Sequence, residues 1–560
     1  MNKINKISTD VLIVGGGSAA AMAAIRAQEH GAEVILITKS GFPSGCSSMA
    51  RSGFQAAFGH SNSSDSPDIH YQDTIKAGLG LNNPKLVRKM ADEIIRIVKD
   101  LDKWGTPFIK DGEKFNQRHR VGCTYPRHIH HYDSTGKVMM QNLKEQVLKR
   151  DINVLSGITV IDLLSKDGHL CGAIGFDEKN YCWLAVRAKS VVLATGGAGH
   201  LYSVSDNPRG IVGDGYSIAL RQGVSLIDME MIDFQLLVCS PSAINGYAPN
   251  SSAWVADGAR FYNGLGERYM KKYQPETLEK SSRAMINRAA GIEIHEGRGT
   301  KNGGVYLDTS SIPAEKLSKI GPTIFRVLAN NGVNLTYQPM ELAPGAHTFL
   351  GGIVIDENGA TEIPGLFAAG EVAGGVHGAN RLGGNAVTDP LVFGDLAGVA
   401  AAEYSKVSNT LELDEEEVNN YINSFTKLIS NTTNGPSPSE LVIKVQNIMS
   451  ENVGIVRSGD KLEKAISLLD GLEKEEFSRI TLLGENLKEA SKELRHYFEL
   501  RNMLLLGKAI ALSAIERRES RGTHYRQDFP KLGGSEWIKN IAVYSGKGGQ
   551  LNTKGLQVER

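Results

Sequence analysis

Asp10-Val-Leu-Ile-Val14, followed by Gly15-Gly-Gly-Ser-Ala-Ala20 and an apolar run to Gly31, is the stretch on which the fold turns. Residues 11–14 carry no polar side chain, the pattern of a parallel strand buried on both faces. The glycines predict a tight turn, residues 21–30 a helix and residues 33–38 a second strand, which together make a βαβ unit. The turn fits G-x-G-x-x-A. Gly15 allows the turn, Gly17 lets backbone approach a pyrophosphate, and small Ala20 lets helix pack on strand. Backbone N–H groups at the helix start, around Gly16, Ser18 and Ala19, would face the phosphates. The acidic ribose ligand usual after the second strand is missing, because Thr38-Lys39-Ser40 stands there. A plain NAD site is thereby disfavoured.

The chain is 560 residues long, more than one core usually serves, so two to four domains are expected. Lys+Arg and Asp+Glu are equal at 62 each, leaving no global field for nucleic acid or anionic lipid. The first nine residues show no signal-peptide pattern, and a cytoplasmic location is expected, peripheral to a membrane only through a partner. The apolar stretch 503–515 is interrupted by Lys508 and falls short of the ~20 residues a membrane span needs. Cys46, Cys123, Cys171, Cys182 and Cys239 are odd in number and form no C-x-x-C pair. That argues against a disulfide framework, a metal site or an iron–sulfur cluster in this chain, so electrons must leave by another route.

Further segments converge. Ser190-Val-Val-Leu-Ala-Thr-Gly-Gly197 reads as a strand and turn, and Gly213-Asp-Gly215 opens a helix. Then come Gly365-Leu-Phe-Ala-Ala-Gly-Glu371, His377-Gly-Ala-Asn-Arg-Leu-Gly-Gly-Asn385 and Arg518-Glu-Ser-Arg-Gly-Thr-His-Tyr525. In this order they resemble the flavoprotein subunits of succinate dehydrogenase and fumarate reductase, a family that includes L-aspartate oxidase. The resemblance runs from about residue 10 to 530.

It implies an α/β, two-dinucleotide-binding-domain flavoprotein. Its Rossmann-like FAD domain would comprise residues 1–231 and 348–405, with an inserted α+β capping domain at 232–347. A helical domain at 406–525 and a tail at 526–560 would follow. The helical domain has independent support. Asp414 and Glu417 form a capping-box pattern, and Val418, Tyr421, Ile422, Phe425, Leu428 and Ile429 share one helical face. Residues 431–439 read as a loop.

By the same resemblance, residues 38–53 wrap the FAD, with Thr38, Lys39, Ser40, Cys46, Ser47, Ser48, Arg51, Ser52 and Gly53 as contacts. Thr195, Gly196, Asp214, Asn385, Ala386 and Val387 complete the site, and Glu371 is expected on the adenosine ribose side. Cys46 stands where respiratory relatives carry a histidine bonded to the flavin. Noncovalent FAD is expected over a cysteinyl flavin. Without the covalent bond that raises the flavin potential, the chain is expected to reduce its substrate, or to oxidise it with a strong acceptor.

Hydride transfer beside a carboxylate needs a cation for that carboxylate, a proton donor or acceptor on the opposite face, and exclusion of water. The resemblance places Arg381 and His347 on the carboxylate, Arg283 at the proton, and Asp257 with Arg260 as its relay to solvent. Gln235 and Ala256 stand where fumarate reductases hold the second carboxylate with histidine and threonine. An insertion, 240–252, separates them. Loss of a charge-assisted bond there costs on the order of 1–2 kcal/mol, so fumarate should bind worse.

The reading is an FAD enzyme adding or removing hydrogen across the α,β bond of a small unsaturated carboxylate, served by an iron–sulfur or other electron-transfer subunit. The alternatives are an L-aspartate oxidase-like amine oxidation and a non-catalytic flavin electron-transfer subunit.

Overall fold

The computed structural model describes residues 4–166, 168–249, 251–409, 411–430 and 435–558. Residues 431–434 of the expected loop, and Asn250 of the 240–252 insertion, lie outside them. Strand β1 (Ile4–Val14) leads into helix α1 (Ser18–Glu29) and strand β2 (Val34–Thr38). Val11, Leu12, Ile13 and Val14 are all buried, as an unbroken apolar strand between parallel neighbours must be. After the helices Pro67–Ala77, Pro84–Lys103 and Thr135–Lys149, β3 (Asn153–Ser156), β4 (Ile158–Lys166), β5 (His169–Asp177) and β6 (Cys182–Leu193) follow.

The chain then leaves this layer. β7 (Ile232–Ser240), β8 (Arg260–Tyr262), helix α2 (Arg283–Glu293), β9 (Val305–Asp308) and β10 (Met340–Phe349) form a separate unit. Its sheet has the order β7-β10-β9-β8, antiparallel throughout. It buries its own core around Trp254, Phe261, Leu307, Leu317 and Leu342.

The chain returns at β11 (Leu366–Ala368), which pairs in parallel with Val191, Val192 and Leu193 of β6. The main sheet has the order β3-β2-β1-β6-β5-β4, with β11 filling the edge of β6 that β5 leaves free. Helix α3 (Asn385–Val407) then packs along α1. A Cβ on Gly394 would lie 2.5 Å from the Ala19 carbonyl oxygen, and one on Gly398 would lie 2.4 Å from that of Ala23. Glycine at these two places lets the backbones approach.

Four helices follow, Glu415–Thr426, Pro438–Asn452, Gly459–Gly471 and α4 (Leu487–Glu516). Asp414 caps the first by accepting from the N–H groups of Glu416 and Glu417. That helix ends at Thr426 and buries Val418, Ile422 and Phe425, so Leu428 and Ile429 fall beyond it. Of residues 526–560, expected as a tail, the described residues 526–558 are built into the fold. Lys539–Ser545 and Leu551–Gln557 form a hairpin that adds to the short strands Leu226–Ile227 and Gly352–Ile353.

The Arg-rich segment after α4 supplies a buried ionic scaffold. Arg517, fully buried, pairs with Glu230, Asp228 and Glu519 and donates to the Lys539 carbonyl at 2.8 Å. Arg457 donates to the Glu230 carbonyl at 2.7 Å and meets His524 at 2.8 Å. Burial and the Glu230 charge push Asp228 up to about 7.

Candidate active site

The C-terminal ends of β1, β2, β6 and β11 open onto a cavity of about 2260 Å³ that continues beneath the capping unit. A Cβ on Gly16 would lie 2.1 Å from Ser44 Oγ and 2.7 Å from Thr38 Oγ1, so a larger residue in the turn would have to displace both hydroxyls. Helix α1 begins with neither a side-chain cap nor an acidic residue in its first turn. One N–H, that of Ser18, donates to Ser47 Oγ at 3.1 Å. The rest of the turn offers donors to an anion.

At the end of β2, Lys39 donates to Asp214 at 2.7 Å and to Glu499 at 3.0 Å. Burial opposes its charge, but these carboxylates outweigh burial and raise its pKa. Every expected cofactor contact lines the cavity except Ser48 and Asn385. Asn385 is turned into the protein, where it meets His70 Nε2 at 2.9 Å and donates to Thr74 Oγ1 at 3.0 Å.

Glu371 also differs from expectation. It lies in the helical turn Gly370–Val372 just after β11, and β11 lies across β6 and β1 from β2, which puts Glu371 at the end opposite the adenosine ribose position. The Phe349 N–H donates to its carboxyl at 2.9 Å, and burial pushes that carboxyl up to about 7.

The lining fits a dinucleotide cofactor. Among the described residues, Thr195 Oγ1, His128 Nδ1 and Arg120 Nε are buried on or beside the cavity wall without a partner in the protein. Unmet polar groups cost about 1–3 kcal/mol each, and a polar ligand satisfies them. Burial, with Glu371 and Asp206 nearby, pushes the Cys46 thiol well above its ordinary range, so it is held protonated.

At the capping side, two guanidiniums converge. Arg381 is 4% exposed and donates to Asp233 Oδ2 at 3.3 Å, while its Nε has no partner among the described residues. Arg283, at the start of α2, ion-pairs with the same oxygen and donates to Gln235 Oε1 at 3.3 Å; its side chain is 36% exposed. His347 Nδ1 lies 2.8 Å from Asp206 Oδ2, and that carboxylate can only accept, so Nδ1 carries the proton. Asn207 donates to the His347 carbonyl at 2.9 Å.

Arg283, Arg381, His347 and Gln235 thus line one cavity, but Asp257 and Arg260 do not join them. Asp257 pairs with Lys316, and Arg260 is exposed on β8. Ala256 is also exposed, at the end of the short helix Ser251–Ala256, and does not line the cavity beside Gln235. The 240–252 insertion instead brings Tyr247 over the cofactor-wrapping segment, where the Arg51 guanidinium stacks on its ring at 4.7 Å.

Sequence reading passed over Asp233 and Asp206. A usable signal existed for Asp233: it lies two residues before Gln235 on β7, and a period of two shares a face.

Two family models match the chain, "FAD binding domain" over residues 10–387 and "Fumarate reductase flavoprotein C-term" over residues 443–560. The chain is 40% identical over 543 residues to a fumarate reductase (CoM/CoB) subunit of Methanothermobacter marburgensis, covering 95% of this chain and 96% of that one. It is 30% identical over 554 residues to L-aspartate oxidase of Streptomyces coelicolor, covering 96% and 91%. Among solved structures, Mycobacterium smegmatis Sdh1 in complex with UQ1 superposes with a TM-score of 0.92 at 32% identity, covering 99% of this chain and 95% of that one. No helix among the described residues is long and apolar enough to cross a membrane.

Proposed function

Because this chain belongs to the succinate dehydrogenase and fumarate reductase flavoprotein family and is an FAD-dependent oxidoreductase, we propose that it adds or removes hydrogen across the C–C bond beside a substrate carboxylate. The observation that carries this reading is the convergence of Arg283 and Arg381 on one point of the cavity wall. Bound FAD supplies or accepts the hydride at N5. Arg381, buried and with an unpartnered Nε, offers a two-pronged grip on the carboxylate. His347, its tautomer set by Asp206, presents Nε2 to the same ligand.

Arg283 carries the proton to or from the adjacent carbon. Arginine is an unusual acid, since its free pKa exceeds ~12. The second cation, Arg381, and the carboxylate of Asp233 let a proton pass through it, and its partial exposure lets it exchange with water. Asp257 and Arg260 are not needed for that exchange. Gln235 supports a substrate whose second substituent is not a carboxylate, because a neutral amide replaces an ionic contact. An iron–sulfur or other electron-transfer subunit is proposed as partner. Relatives whose names mark them as one subunit of a larger enzyme, among them the 8-methylmenaquinol:fumarate reductase flavoprotein subunit of Wolinella succinogenes, support it.

Anaerobic assay with reduced viologen tests the reading. Oxidation of the viologen by acrylate, crotonate or cinnamate is expected, with fumarate poorer. If none of these acids is reduced while aspartate and oxygen yield peroxide, the second reading, amine oxidation as in the relatives named L-aspartate oxidase, replaces it.

FAD is proposed to be noncovalent, supported by the protonated state of the Cys46 thiol. Acid denaturation is expected to release all yellow colour into the supernatant. Colour retained on a peptide containing Cys46 would show the bond exists.

A further inference from the structure

The proton path uses the charge of Asp233 but does not account for its contact with Arg381. Asp233 is a carboxylate on β7, 4% exposed, whose Oδ2 is shared by both arginines of the substrate corner. It stands on the spot to which the guanidiniums point, where an incoming carboxylate would compete for the same donors. Burial alone would raise its pKa, but Arg283, Arg381 and His347 outweigh burial and hold it below the ordinary carboxylate range. It is therefore a permanent anion at neutral pH.

Arg283 and Arg381 bring two fixed cations to one carboxylate, so Asp233 matches only one of the two guanidiniums. His347 turns its Nδ1 proton to Asp206, away from this pair, and Gln235 is neutral. One guanidinium charge is left unmatched by Asp233, together with the unpartnered Arg381 Nε, which is aimed at no protein acceptor among the described residues. A monoanion completes this set, whereas a dianion leaves one buried negative charge without a partner.

We propose that Asp233 is a specificity-determining residue: an internal counter-ion that occupies half of the arginine clamp and restricts the site to substrates bearing a single carboxylate at the reacting end. The proposal rests on the reading that Arg381 receives the substrate carboxylate. It goes further than Gln235 does, because a neutral amide weakens a second carboxylate whereas a resident anion repels it.

The test uses saturated, unreactive acids, so it does not depend on turnover. Holoprotein is titrated with propionate and with malonate, and binding is followed by the change in flavin absorbance. Wild type is expected to bind propionate at least about tenfold more tightly than malonate, and Asp233→Asn to shift that ratio toward malonate by about tenfold or more. If Asp233→Asn weakens both acids equally, Asp233 merely positions Arg283 and the proposal falls. Wild type that already prefers malonate also overturns it, and would assign the second anion to Arg118 and Arg120, which line the same cavity. Should the variant lose its flavin, the wild-type ratio alone decides. Failure to reduce any unsaturated acid, with the propionate preference intact, would fault the proposed reaction and not the role of Asp233.

Discussion

Arg283→Lys is expected to leave the flavin spectrum unchanged and to lower kcat by about 10²–10⁴-fold, the range that a positioned proton donor contributes. Lysine keeps the positive charge, so loss of charge would not explain the result. It cannot hold Asp233 and Gln235 at once through a planar fork, as Arg283 does. The lost step is proton delivery, while Arg381 and His347 still receive the carboxylate. kcat should therefore fall with KM little changed, and single-turnover traces should show the chemical step itself slowed. Turnover within about twofold of wild type with the true substrate would remove Arg283 from the proton path.

Arg517→Met should be the most damaging substitution for the fold. Glu230, Asp228 and Glu519 all rely on that guanidinium, in a region with almost no exposure. Removing one partner of a buried ionic set strands the others, at a cost of about 3–5 kcal/mol. Urea midpoints of the holoprotein measure it. Adding Glu230→Gln should recover part of the loss, because the stranded charge is then gone. A loss below about 1 kcal/mol would mean that water reaches the network.

The FAD half of the fold was legible because its signals are local. The glycines from Gly15 to Gly17 and the unbroken apolar strand 11–14 each follow from a requirement on a few neighbouring residues. The substrate corner was legible only in part. Asp233 and Arg381 lie 148 residues apart, and nothing local in either segment announces the contact. Asp257 and Arg260 sit in a recognisable segment, yet where the side chains point depends on how the helix Ser251–Ala256 and β8 pack in the capping unit. The C-terminal hairpin was missed because the strands it joins, Leu226–Ile227 and Gly352–Ile353, are too short to show any periodicity.

The pairing of β11 with β6 also sets a timetable for the nascent chain. The edge of β6 at Val191, Val192 and Leu193 stays open until Leu366–Ala368 has left the ribosome, and the capping unit is made in between. At typical elongation rates that interval is on the order of 10 s. During it an apolar strand edge stands exposed, and the wall carrying Glu371 does not yet exist. Cofactor capture therefore comes late in synthesis, and a chaperone able to shield that edge would act before it.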